Sequence, residues 1–77
     1  MTTTTFDKIE SGEFFRLTET GAAGATGMLK FIFKKRTDTH AEIMMPIDDG
    51  APDFKELRKY EGEHRHFKPD VEVVIAV

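Results

Sequence analysis

Seventy-seven residues with a formal charge of −3 and no cysteine, tryptophan, asparagine or glutamine make one small domain, held by neither disulfides nor thiolate metal sites. A chain this short buries only about 60% of the surface its unfolded form exposes, so its core must be thin. The charge has the wrong sign for a general nucleic-acid binder, and the side-chain amides that read adenine edges are missing.

Residues 1–5 are Met followed by four threonines, which read as a frayed terminus or a strand extension. No basic stretch followed by an apolar run is present, so neither a signal peptide nor a membrane span is expected, and the chain is expected to stay in the cytoplasm. The lack of cysteine suits that reducing compartment. A turn at Ser11-Gly12 launches a strand over residues 13–18, with Glu13, Phe15 and Leu17 on one face and Phe14, Arg16 and Thr18 on the other. Residues 20–27, rich in glycine and alanine, predict a mobile hairpin loop.

Residues 28–35 form the clearest strand, Leu29, Phe31 and Phe33 alternating with Lys30, Ile32 and Lys34. After a polar turn at 36–39, residues 40–45 alternate again, with Ala41, Ile43 and Met45 inward, until Pro46 ends the strand. The turn cluster at 48–52 leads into a short helix over 53–60, with Pro52 near its start, early acids and later bases. Phe54 and Leu57, three apart, supply its docking face, and Gly62 stops it. Strands over 63–67 and 71–77 flank Lys68-Pro69-Asp70, with Val71, Val73, Ile75 and Val77 facing the core.

This order predicts a single mainly-β domain over residues 1–77 with one short helix: a five-stranded antiparallel curled sheet or small open barrel, SH3-like or OB-like in size. The expected core is Phe15, Leu17, Leu29, Phe31, Phe33, Ile43, Phe67, Val71, Val73 and Ile75. Ile32, Met44, Val74 and Ala76 fall on the opposite face, and such an apolar patch points to a homodimer or another partner unless the helix covers it.

Phe6-x-Lys8-Ile9-x-x-Gly12-Glu13-x-Phe15, then Phe33-x-Lys35, then Phe67-x-Pro69-Asp70-x-Glu72-Val73 resemble small β-barrel proteins of uncharacterised function from phages and bacteria. The resemblance implies a barrel fold and no active site. This chain departs from that pattern by the loop at 21–27 and the insert at 48–62, where a particular function would reside.

Few residues invite chemistry. His64 and His66 share a strand face, at a spacing that can chelate a metal with His40 or Glu42 as a third ligand, but a solvated histidine pair is the simpler reading. Asp48-Asp49-Gly50 with Asp53 lacks the alternating ligands and closing glutamate of a calcium loop. Gly21-x-x-Gly24-x-x-Gly27 is neither a dinucleotide nor a Walker motif, and Ser11 lacks a nucleophile's context. No catalytic residue, cofactor or metal is therefore expected.

Residues 28–36 hold Lys30, Lys34, Lys35 and Arg36 without an acid, leaving −7 for the rest. The expected function is a non-catalytic protein-binding module, phage-encoded as the resemblance implies, that contacts a host or viral protein through Asp48, Asp49, Asp53, Glu56 and Gly24. Modulation or inhibition of a host defence complex is the instance the resemblance implies. The alternative is a small-molecule, nucleotide or single-stranded nucleic-acid binder using Lys30, Lys34, Lys35 and Arg36, although the phenylalanines between them are needed for the core.

Overall fold

In the computed structural model, which describes residues 3–75, strand β3 (Phe31–Lys35) alternates buried and half-buried side chains along its whole length. β3 lies between β2 (Phe14–Leu17) and β4 (His40–Pro46), with Phe15 opposite Phe33 and Phe33 opposite Ile43, which stacks the inward side chains of three strands in one row. The other strands are β1 (Thr3–Thr5), β5 (His64–His66) and β6 (Glu72–Ile75). All pairings are antiparallel, in the order β1-β6-β2-β3-β4-β5.

The described residues thus form a six-stranded sheet rather than a five-stranded one. It is not closed into a barrel, because β1 and β5 have no pairing with each other and remain as two edges. The sixth strand comes from the threonine run, which pairs with β6 through Thr4 opposite Val73. β-Branched threonine suits that extended edge position.

Phe6 is the core residue that local alternation does not reveal. It begins a 3-10 turn, Phe6–Lys8, and its fully buried ring stands 5.7 Å from Phe15 and 5.1 Å from Phe67. Phe33 joins this cluster at 5.5 Å from Phe15 and 5.3 Å from Phe67. Rings at these separations contribute stabilisation beyond the area they bury. Leu17, Phe31, Ile43 and Val73 are buried around the cluster as expected, while Leu29, Val71 and Ile75 are partly buried against it. Ile9 and Ala22 complete it from outside the expected set.

Three local expectations are corrected. Residues 28–30 are not strand but the end of a 3-10 segment, Thr26–Lys30, so β3 begins only at Phe31. The loop at 20–27 is organised. Helix α1 (Glu19–Ala22) is capped by Thr18, whose hydroxyl accepts from Gly21 N at 3.0 Å, and it ends in a left-handed residue, Ala23. Met45 is exposed rather than inward, because the β3–β4 register slips at Ile32/Phe33: Ile32 faces Met45 while Phe33 faces Ile43. The extra residue, Met44, makes a bulge that reverses the alternation beyond it and buries Pro46.

The helix expected over 53–60 is one α turn, α2 (Phe54–Leu57), continued by a 3-10 turn, Arg58–Tyr60. Gly62 then takes φ 90°, and its N donates to Ile43 O at 2.8 Å, which returns the chain to the sheet. Ala76 and Val77, expected to continue the last strand, lie outside the described residues. Among the described residues no helix is long and apolar enough to cross a membrane.

Candidate functional site

The β3–β4 ladder runs one bond beyond Pro46: Ile47 N donates to Lys30 O at 2.8 Å. That bond sets the acidic segment beside the start of the basic one. Asp48 then folds its own turn, accepting from Gly50 N at 2.9 Å through Oδ1 and from Ala51 N at 3.3 Å through its carbonyl. Asp53 O accepts from Leu57 N at 3.0 Å at the start of α2, and Asp53 Oδ2 accepts from Lys30 Nζ at 2.8 Å. This hydrogen bond, with the lysine's positive charge, holds the Asp53 carboxyl below its ordinary pKa despite the opposing effect of partial burial.

The result is a groove of about 400 Å³ between the 3-10 segment before β3 and the segment from Ile47 to Leu57. Leu29, Ile47 and Leu57 give it apolar walls, and Arg16, Lys30, Asp48 and Asp53 supply charges of both signs. Ile47 is 39% exposed there, and neighbouring Met45 is 48% exposed. Alternation places Met45 inward and assigns no role to Ile47. The switch of phase at Met44 was the missing information, and no residue type marks it.

Of the residues expected to bind a partner, Asp48 and Asp53 line the groove, whereas Asp49 and Glu56 are exposed nearby in sequence and Glu56 pairs with Lys59 at 2.6 Å. Gly24 is exposed at φ 90° in the turn after α1 and is not part of the groove lining.

The structure disperses the basic candidates. Lys30 is engaged by Asp53, and Arg36 Nε donates to Glu42 Oε1 at 2.7 Å. Lys34 lies over the Phe14 ring, 5.4 Å from its centroid. Lys35 cannot meet a ligand in solvent, since it is 3% exposed and its Nζ donates to Phe6 O at 2.9 Å and Ile9 O at 2.7 Å. The signal was available. Lys35 shares the strand phase of Phe31 and Phe33, so it had to point inward with them.

His64 stands opposite Glu42 and His66 opposite His40, the two imidazole rings of the latter pair 5.3 Å apart. Thr39 Oγ1 is 2.7 Å from His40 Nδ1, and Arg36 already occupies Glu42. Among the described residues no three such side chains are arranged to hold a metal ion. A second groove, of about 290 Å³, lies between Met28, Phe31, Tyr60 and Arg65.

Comparison of the chain with protein-family models, with curated proteins and with solved structures finds no match.

Proposed function

We propose that this protein is a non-catalytic binding module that docks on another protein through the groove beside its acidic segment. The observation that supports this reading is the juxtaposition in that groove of exposed Ile47 with Leu29 and Leu57, edged by Asp48 and Asp53. An apolar anchor surrounded by charges is how protein interfaces combine affinity with orientation. Modulation or inhibition of a host protein complex is the role this reading extends to, on the resemblance to phage proteins. Nucleic-acid or anionic-ligand binding is the weaker reading, because three of the four cations it needs are engaged within the chain or buried.

Affinity capture from extract of the native host tests the proposal, with Asp48→Lys/Asp49→Lys compared against Lys34→Ala. Lys34 is the clean cation to remove, since changing Lys30 would also disturb Asp53. The expected result is loss of the captured protein in the acidic double variant alone, with the parental melting transition in Lys34→Ala and only a small decrease in the double variant, which loses the turn bond from Gly50 N to Asp48. Salt-sensitive binding to single-stranded nucleic acid that disappears in Lys34→Ala would replace this reading with the alternative.

A further inference from the structure

The two open edges of the sheet differ in kind. The edge at β5 presents His64, Arg65 and His66, with Glu63 Oε1 accepting from Arg65 at 2.9 Å. Charged side chains of this sort deter the addition of another strand. The edge at β1 is Thr3, Thr4 and Thr5, whose side chains are all uncharged, and the carboxylate beside it, Asp7, accepts from Thr5 Oγ1.

Register fixes which main-chain groups of β1 face outward. Phe6 N donates to Val71 O at 2.9 Å, and Thr5, Thr4 and Thr3 follow opposite Glu72, Val73 and Val74. In an antiparallel pair, hydrogen-bonded and non-hydrogen-bonded positions alternate. Phe6 and Thr4 therefore turn their main-chain groups toward β6, and Thr3 and Thr5 turn theirs away from the sheet. Among the described residues no main-chain bond from another segment reaches Thr3 or Thr5 on that side.

We propose that β1 pairs antiparallel with β1 of a second copy of this chain, across a two-fold axis that brings Thr4 opposite its own counterpart. Thr3 then faces Thr5 of the second copy and Thr5 faces Thr3, and the outward donors and acceptors of both residues are matched without remainder. Thr4 occupies the non-hydrogen-bonded position, where side chains approach most closely and threonine pairs are favourable. No like charges oppose one another. Pairing β1 with β5 instead would be head-to-tail and would leave edges open for further growth, whereas self-pairing closes after two copies and leaves only the charged β5 edges outside. The groove between the 3-10 segment before β3 and residues 47–57 is not part of this contact, so the inference stands apart from the proposed function.

The test is sedimentation of the full chain from micromolar to millimolar concentration, with two charge patterns built on the edge. Thr3→Lys/Thr5→Lys places like charges opposite each other across the axis and is expected to raise the dimer dissociation constant about tenfold or more. Thr3→Glu/Thr5→Lys places opposite charges there, with the lysine beside Asp7, and is expected to restore association. A mixture of isotope-labelled and unlabelled wild-type chain gives a readout independent of any variant: contacts between the Thr4 protons of two copies. A wild-type chain that stays monomeric to millimolar concentration, a dimer indifferent to the lysine pair, or a dimer without the Thr4 contact overturns the proposal. Failure of the lysine–glutamate pattern to associate overturns the register.

Discussion

Lys30 and Lys35 stand at opposite ends of one basic run, yet the fold gives them contrary fates. Lys35 is buried over the ring of Phe6, its Nζ 4.6 Å from the ring centroid, and binds two main-chain carbonyls of the N-terminal turn. Lys30, just before β3, is half-exposed and meets a carboxylate. Residue type is the same in both places, so type decides neither outcome. Strand phase sends Lys35 into the core, and the loss of that phase before Phe31 frees Lys30 for the surface. A long apolar stem and three donors let lysine serve at either site.

If this contrast is right, substitutions at the Lys35 end should damage the fold and those at the Lys30 end should not. The largest effect is expected from Phe6→Ala, which empties the ring site beneath Lys35 and should cost about 3–5 kcal/mol in chemical denaturation. A variant with the parental midpoint would mean that Phe6 is dispensable to the aromatic cluster. Next is Lys35→Met, which keeps the stem but leaves the carbonyls of Phe6 and Ile9 without their donor. It should cost about 1.5–3 kcal/mol, the range for hydrogen bonds to a charged group. Hydrogen exchange locates the damage: the amide of Phe6, bonded to Val71 O, should lose protection before those of β3 and β4. Uniform loss of protection would show that Lys35 supports the whole core rather than the N-terminal turn.

What the sequence reveals follows the same division. Alternation carries β2, β3 and β6 and most of the core, because each side chain there answers to a period of two. Features that depend on a distant strand are not written locally. Threonine composition leaves a frayed end and a strand extension both open, and Thr3–Thr5 become a strand because β6, some seventy residues later, accepts them. The bulge at Met44 has no glycine to announce it, and it alone turns Met45 and Pro46 over. The loop at 20–27 misleads for a related reason. Its glycine at 21 reads as flexibility, but a Cβ there would lie 1.9 Å from Glu72 O, so this glycine permits close docking of α1 on β6. The groove is hidden likewise: two segments of opposite charge look like rival surfaces in sequence, and Lys30 and Asp53 join them.

The smallest effect is expected at that join, and it is read most directly by titration. Asp53 has a folded-state pKa below its ordinary value, chiefly because Lys30 donates a hydrogen bond to the ionised carboxylate. A depressed carboxylate contributes stability that is present above the unfolded pKa and is lost as pH falls through the folded pKa. The loss therefore belongs to strongly acidic solution, and near neutrality the contact is intact. Both side chains are about half exposed, so solvent screens the pair and removing it should leave the melting transition almost where it was. NMR titration of the Asp53 carboxyl group should nonetheless move upward, toward the ordinary aspartate value, in Lys30→Met. If Asp53 titrates at the same pH with and without the lysine, the contact is not held in solution, and the groove loses the bridge that joins its acidic and basic sides. If instead Lys30→Met lowers the denaturation midpoint as far as Lys35→Met does, the two ends of the basic run are equivalent in the fold and the contrast between them fails.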